Sequence, residues 1–271
     1  MDSRRLTEPG TDAAIMPASG ALADGQMRDL LEQLGLPDAP WIVDGTTQSE
    51  TRLLNIADLD ALEVVHRDIV ARAPSGTVAL ETSAFLARHL QTDGYTVGLF
   101  FEARLVAYGI LGLSGAEHAR LGALLGLPAQ RCERLAVLDG VGVVPAFRGR
   151  GAHRYLNRVR QALADRHGRQ LIAASAAPAN SVSWRNLMRQ GLEVRGLARM
   201  FGGHWRYLML REESGIPAGA PARLVDALDI ARQQRLLDLG CRGVRPGTHR
   251  GRAAVAYAAG ALARPRDRCA R

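Results

Sequence analysis

The sequence contains no lysine, so all 35 of its basic side chains are arginines, against 27 acidic side chains. A formal net charge of +8 can indicate a nucleic-acid partner. However, arginines alternate with acidic residues along most of the chain, and only the stretch after Gly240 has few acids. Such interleaving is typical of a solvated surface rather than of a nucleic-acid groove. We therefore do not expect a nucleic-acid partner.

Long apolar runs and paired cysteines are missing as well. No stretch reaches the roughly 20 apolar residues of a membrane-spanning helix, and the first 25 residues lack the apolar core of a secretory signal. The cysteines are odd in number and without CxxC spacing, at Cys132, Cys241 and Cys269. This argues against a disulfide framework or a zinc site. We expect a cytoplasmic protein with no membrane partner and no metal.

Residue patterns divide the chain into three parts. Residues 1–50 are predicted to be an N-terminal arm with one short amphipathic helix at 26–37. Residues 51–213 change repeatedly between helical and strand periodicity, including helices at 58–74 and 78–91. Their order predicts an α/β fold with a mixed sheet flanked by helices. Residues 214–271 are predicted to be a linker, a C-terminal helical extension read over 222–240, and a basic tail.

One segment leads from an apolar run through glycines directly into a helical pattern: VGVVPAFRGRGAHRYLNRVRQALADRHG, residues 141–168. The amides of Arg148 to His153 are the donors that the first turn of this helix leaves unpaired. Together with the helix dipole they form a site for an anion, and Gly149 and Gly151 allow a diphosphate to approach the backbone closely. The alternative is a chance Arg-Gly run before an ordinary helix, because such a string alone is weak evidence.

The order of the neighbouring motifs supports an anion site. Val143-x-Pro145 ends the strand, Arg148-x-x-Gly151 forms the turn, and Asn180 begins a second helical pattern after the next strand. Over about residues 55–212 this series resembles the GNAT superfamily of acyl-coenzyme A-dependent N-acetyltransferases. The resemblance implies transfer of an acetyl or other short acyl group from acetyl-coenzyme A, the co-substrate, to a primary amine of a small molecule or protein. It leaves homodimer formation open.

The resemblance also implies which residues contact the coenzyme. Pantetheine pairs with the backbone of the strand that ends at Val143, and the pyrophosphate lies on the amides of the glycine turn, residues 148–153. The residues assigned to the coenzyme are Val141, Val143, Arg148, Gly149, Arg150, Gly151, Ala152, His153, Asn180 and Ser183. His153 replaces the usual Gly or Ala, so its ring has to point away. Asn180 is a helix cap, a coenzyme contact, or both. Leu187 replaces a tyrosine that protonates the thiolate in many members, so that role is vacant or filled from elsewhere.

Asp139 is the candidate catalytic residue. It is the only charged residue between Ala136 and Phe147, and many family members use a carboxylate at this position as base or acceptor contact. An amine has to lose a proton before it attacks a thioester, so a base is needed nearby. The alternative role is an aspartate that bonds to backbone at a β-bulge, which Gly140 and Gly142 would favour.

Further acceptor contacts are predicted at two places. His204 follows the hairpin turn at Gly202-Gly203 and is either a contact or simply solvated. Residues 114–134 form a connection far longer than a hairpin needs, and we predict that it makes one wall of the acceptor pocket, with Glu117 or His118 available. Its alternative role is packing. A second class of function also stays open, a catalytically silent acyl-coenzyme A-binding sensor or scaffold, which Leu187 favours and Asp139 opposes.

Overall fold

The computed structural model describes residues 24–36, 49–212, 215–216 and 219–260. Its helices are α1 Asp24–Gln33, α2 Leu59–Ala71, α3 Ser83–Gln91, α4 Gly115–Leu124, α5 Ala129–Cys132, α6 Ala152–Arg166, α7 Ser181–Met188 and α8 Ile230–Asp238. Its strands are β1 Ser49–Leu53, β2 Gly94–Phe101, β3 Arg104–Gly112, β4 Leu135–Val143, β5 Leu171–Ala176, β6 Glu193–Met200, β7 His204–Arg211, β8 Ala222–Asp226, β9 Cys241–His249 and β10 Arg252–Ala259. Most of the predicted N-terminal arm and the end of the basic tail lie outside the described residues.

All of these strands belong to one sheet, in the order β1-β2-β3-β4-β5-β7-β6-β9-β10-β8. Neighbours are antiparallel except β4 and β5, which α6 connects as a crossover and which pair in parallel. The hairpin predicted around Glu102 is confirmed, because Glu102 and Ala103 form its tight turn with φ angles of 48° and 59°. The predicted fold class, a mixed sheet flanked by helices, is likewise confirmed.

Helices cover both faces of the sheet because each presents an apolar stripe to it. On one face, α1, α6 and α7 pack against strand residues such as Leu99 and Ala107. On the other, α2 and α3 pack against the alternate residues Phe100 and Tyr108. The cleft described below opens between β4 and β5, at the centre of this layered arrangement.

The C-terminal extension differs from the prediction. The segment read as one helix over 222–240 is helical only in α8, because its first five residues form the strand β8. β9 and β10 were not predicted, since Arg, Gly and Pro interrupt the alternation of apolar residues in CRGVRPGTH. Val225, Val255 and Tyr257 lie in the same apolar cluster as α6 and α7. The extension is therefore a continuation of the central sheet and core, and not a helical appendage.

One helix boundary and one strand were also misjudged. The helix predicted from Val78 begins only at Ser83, because the Thr82 hydroxyl accepts from the Phe85 amide at 3.1 Å and caps it. The stretch before it, which carries Glu81, is irregular. β1 was not predicted as a strand. It pairs with β2 at the edge of the sheet.

The argument against disulfides does not extend to every cysteine. Cys132 is a free thiol, whereas Cys241 is disulfide-bonded. An odd number of scattered cysteines excludes neither a single pair nor a leftover thiol. Among the described residues, no helix combines the length and the apolar character that crossing a membrane requires.

Candidate functional site

β4 and β5 separate in the middle of the sheet. Their parallel pairing covers only Leu135 to Leu138 of β4, and beyond it β4 pairs with β3 and β5 with β7. A β-bulge marks the separation, since Ile110 pairs with Gly140 and Leu111 with Leu138, which leaves Asp139 without a cross-strand partner. The second half of β4 therefore offers backbone groups on its free side to a ligand.

Two adjoining cavities open at this separation. The large cavity has about 730 Å³ of empty space, counted together with the open solvent at its mouth, and is lined on β4 by Asp139, Gly140 and Val141. The small cavity has about 320 Å³ counted in the same way, shares Asp139 with the large one, and reaches α4. The residues that line both cavities are Glu81, Leu138, Asp139, Ser175 and Phe201. A ligand lying along β4 would thus have its far end beside carboxylate groups.

The glycine turn lies at the other end of the free strand. Gly149 and Gly151 have φ angles of 79° and 90°, and Gly151 precedes α6 without any side-chain cap. Within the described part of the chain, no carbonyl or side chain accepts from the amides of Gly149 to Arg154. Six backbone donors at the positive end of a 15-residue helix are therefore free to bind an anion.

The two arginines of this turn lie outside the cavities. The Arg148 Nε donates to the carbonyl of Val143 at 3.0 Å, and the guanidinium of Arg150 lies 5.6 Å from the centre of the Phe147 ring. Both side chains are exposed. They add positive charge around the entrance rather than direct contacts within it.

His153 forms part of the wall of the large cavity. Its Nδ1 accepts from the Asn186 side-chain amide of α7 at 3.1 Å, and its Nε2 is buried without a partner among the described residues. Burial, with a contribution from the charge of Arg160, lowers the pKa of His153 to about 3. The ring is therefore neutral, turned toward α7, and able to donate only through Nε2.

Asp139 is held by a histidine that the sequence did not indicate. His89 of α3 contacts the carbonyl of Phe85 through Nδ1 at 2.9 Å and Asp139 Oδ2 through Nε2 at 3.1 Å. Both partners are acceptors, so both ring nitrogens have to carry protons. Burial opposes this charge, but the hydrogen bond and charge of Asp139 raise the pKa of His89 above its usual range. Asp139 and His89 thus form a buried ion pair, with side chains only 8% and 3% exposed.

Glu81 is a second carboxylic acid of the site, and sequence reasoning missed it because it fell inside a predicted helix. It lines both cavities, and among the described residues no side-chain hydrogen bond or ion pair engages its carboxyl group. Burial, followed by the charges of Asp139 and Glu117, raises the pKa of Glu81 to about 7. Such a group exchanges protons readily near neutral pH.

A hydrogen-bond chain places a hydroxyl in the large cavity. The Glu81 amide donates to His66 Nε2 at 2.9 Å, so the proton of this histidine is on Nδ1, 2.6 Å from the Tyr108 hydroxyl. Burial, with the charge of Arg67, lowers the pKa of His66 and keeps it neutral. The Tyr108 oxygen therefore accepts from His66, and its own proton is free to be donated toward the cavity that it lines.

Gly142 is explained by this tyrosine rather than by the coenzyme. Tyr108 and Gly142 are directly opposite each other on β3 and β4. A Cβ atom at Gly142 would lie 2.5 Å from the Tyr108 ring. Gly140, in contrast, has room for a Cβ, so its glycine is not required by packing.

A fully buried arginine supports the bulge from beneath. Arg160 of α6 donates through Nη1 to the carbonyls of Ile110 and Gly140, both at 2.7 Å. Its Nη2 also donates to the side chain of Asn157. Burial lowers the pKa of Arg160 to about 9 against the attraction of Asp139, so the guanidinium stays charged at neutral pH. Its position among the arginines of α6 gave no signal of this role.

The remaining predicted coenzyme residues are partly brought together. Asn180 caps α7 by accepting from the Ser183 amide at 3.2 Å, and both residues line the large cavity with Leu187. Val141 lines it too. Val143 instead packs against the apolar core.

Of the predicted acceptor residues, one lines a cavity and two do not. Glu117 of α4 lines the small cavity, whereas His118 is buried and bonds through Nε2 to the carbonyl of Leu135 at 3.0 Å. The segment 114–134 also contributes Leu121 to an apolar cluster, so it both packs and forms a wall. His204 is exposed, lies against Gly76 and lines neither cavity.

No protein-family model matches the sequence, and neither does any curated protein. Solved structures with a similar fold include a GCN5-related N-acetyltransferase from Kribbella flavida, 20% identical, with 60% of this chain and 97% of that chain covered and a TM-score of 0.46. The paia N-acetyltransferase from Thermoplasma acidophilum, in complex with coenzyme A, is 16% identical, with coverages of 61% and 99% and a TM-score of 0.45. The ribosomal-protein-S18-alanine N-acetyltransferase from Escherichia coli is 13% identical, with coverages of 64% and 99% and a TM-score of 0.44. The chain is similar to these proteins in fold.

Proposed function

We propose that this protein is an N-acetyltransferase that moves an acetyl or other short acyl group from coenzyme A to a primary amine. One observation supports this above all: the free side of β4 runs from a turn of unpaired amides to two carboxyl groups, those of Asp139 and Glu81. The residues fit an acyl-coenzyme A, since the glycine turn can take a pyrophosphate and the cavity beside Val141 can take the pantetheine arm. The thioester would then lie near Asp139.

The chemistry is a direct attack of the amine on the thioester carbonyl. A carbon–nitrogen bond forms and the carbon–sulfur bond breaks, so the amine nitrogen loses two protons in all when it starts as an ammonium ion. One passes to a base and then to solvent, and the other ends on the thiolate. Asp139 is positioned to contact the acceptor amine, with His89 fixing its orientation.

Replacing Asp139 with asparagine is expected to lower turnover at least tenfold, because the substitution keeps the shape but removes the charge beside the amine. Acetyl-coenzyme A affinity should stay within about twofold, since the phosphates bind elsewhere. Steady-state kinetics and calorimetry measure the two quantities, and Asp165→Asn, exposed at the end of α6, is the matched control. If the Asp139→Asn variant and the unmodified protein had equal activity across the pH range, this role of Asp139 would be excluded.

We assign the proton donor for the thiolate to Tyr108, which takes the role that Leu187 cannot perform. Burial raises the pKa of Tyr108, so its hydroxyl stays protonated until the thiolate leaves, and the second proton of the amine then restores it. The free hydroxyl proton and the place of Tyr108 in the wall of the large cavity support this assignment. Tyr108→Phe should lower kcat about tenfold or more without weakening coenzyme binding. Tyr95→Phe is the control, because Tyr95 is a buried tyrosine outside both cavities. A kcat ratio near one for Tyr108→Phe would remove Tyr108 from the mechanism.

The alternative function, a silent acyl-coenzyme A sensor or scaffold, is separated by one experiment. The protein is incubated with acetyl-coenzyme A and a panel of primary amines: diaminobutane, lysine, glycinamide and a peptide with a free alanine N-terminus. Free thiol and acetylated products are measured by absorbance and mass spectrometry. Acetylated product supports the transferase. Coenzyme binding without any product supports the sensor.

A further inference from the structure

Asp139 cannot easily serve as the proton acceptor in this site. One of its oxygens is engaged by the imidazolium of His89, and the pair is almost completely buried. A proton that moved to Asp139 would leave the His89 charge buried without its counterion, which is costly. The base has to be a group whose protonation leaves no charge unpaired.

Glu81 meets this condition. Its carboxyl group is not engaged by any described residue, and it lines the small cavity together with Asp139 and Glu117. The backbone of Glu81 is fixed by its amide, which donates to His66. The side chain is therefore held at the junction of the two cavities, where an acceptor from the small cavity would meet a thioester in the large one.

We propose that Glu81 is the general base of the acetyl transfer, and that Glu81, Glu117 and Asp139 together select acceptors that arrive as ammonium ions. This proposal rests on the proposed function. The ionised Glu81 takes one proton from the ammonium group, the amine attacks, and the neutral Glu81 passes the proton to solvent.

The charges around Glu81 agree with this role. The groups that face it are Asp139 of β4, Glu117 of α4, His89 of α3, His66 of α2, Tyr108 of β3 and Arg206 of β7. Burial and the two carboxylates raise its pKa to about 7, while His89 and Arg206 act in the opposite direction. A base whose pKa lies near the working pH transfers protons most effectively.

A buried donor without a protein partner lies in the same region. Arg206 lines the large cavity beside Glu81 and is only 3% exposed. Its Nη1 donates to the carbonyl of Thr77 at 3.1 Å, but its Nε has no partner among the described residues. Unpaired buried donors are rare in folded proteins, and a catalytic role or a bound water or ion are among the explanations for one.

The test compares pH profiles. The probe is the panel amine with the highest turnover, and kcat/KM for that amine is measured from pH 5.5 to 9 at saturating acetyl-coenzyme A. In the unmodified protein, kcat/KM should rise with pH through about 7. Glu81→Gln should lose this rise, and its kcat/KM at pH 7 should be at least about 100-fold lower. Glu117→Gln should keep the rise but shift it to lower pH, because one of the charges that raises the Glu81 pKa is gone.

Controls keep the outcomes distinct. Glu102→Gln, at the exposed hairpin turn, should leave the profile unchanged, and coenzyme affinity measured by calorimetry shows whether each variant is folded. If kcat/KM of Glu81→Gln stays within threefold of that of the unmodified protein and still rises with pH through about 7, the proposal is overturned. If Glu81→Gln does not fold, an unshifted profile of Glu117→Gln overturns it instead. A protein that binds acetyl-coenzyme A but acetylates no amine contradicts the proposed function itself, which is a different result.

Discussion

Replacing Gly151 with valine is expected to weaken acetyl-coenzyme A binding by about 100-fold, or about 2.7 kcal/mol. Gly151 has a φ of 90°, a left-handed conformation that a β-branched residue adopts only at high cost. The turn would have to change its backbone angles, and its unpaired amides would no longer converge on one anion. Isothermal titration calorimetry measures the loss directly.

The matched control for this variant is Arg150→Ala, which removes a charge from the same turn. The Arg150 side chain is exposed and lies over the Phe147 ring, so its loss should weaken binding less than about fivefold and mostly at low salt. Circular dichroism establishes that the Gly151 variant is folded. A folded Gly151→Val protein with the affinity of the original would show that the phosphates bind elsewhere.

Arg160→Met should have the largest effect on stability, a loss of about 3–5 kcal/mol in the free energy of unfolding. The carbonyls of Ile110 and Gly140 would lose their buried donor, and methionine cannot replace it. Urea denaturation followed by fluorescence measures the change. Arg158→Met, on the exposed face of the same helix, is expected to cost less than about 1 kcal/mol. A similar cost for the two variants would show that the bulge does not depend on Arg160.

The parts of the site that a local pattern encodes could be predicted from the sequence. The glycine turn is one continuous segment, and its glycines permit the positive φ angles that the turn requires. Asp139 is conspicuous because it interrupts an apolar strand. Both inferences concern neighbours along the chain, so neither required knowledge of the tertiary structure.

The partners of these groups could not be predicted in the same way. His89 meets Asp139 across 50 residues of sequence, and its place in α3 fits an ordinary amphipathic helix. Arg160 differs from the exposed arginines of α6 only because Gly109 of β3 leaves room for it: a Cβ there would lie 2.9 Å from Arg160 Nε. Glu81 was hidden because the Thr82 cap starts α3 later than propensity alone suggests, which leaves Glu81 outside the helix.

The C-terminal extension was misjudged for the same reason, because its strand β9 depends on contacts between residues that are distant in sequence. β9 has poor strand propensity, yet Gly243 allows it to meet β6 closely, since a Cβ at this position would lie 2.8 Å from the Cβ of Val194. Tertiary contacts therefore override the local pattern here.

The continuation of the sheet past β6 has a consequence for self-association. β6 is covered by β9, so the outermost strands are β1 and β8, each with five residues and each shorter than every other strand of the described sheet. A short outer strand offers few unpaired amides and carbonyls to a neighbouring molecule, and charged side chains such as Glu50 and Arg223 hinder such pairing further. The outer strands β1 and β8 of the described sheet are thus poorly suited to pair with a strand of a second copy.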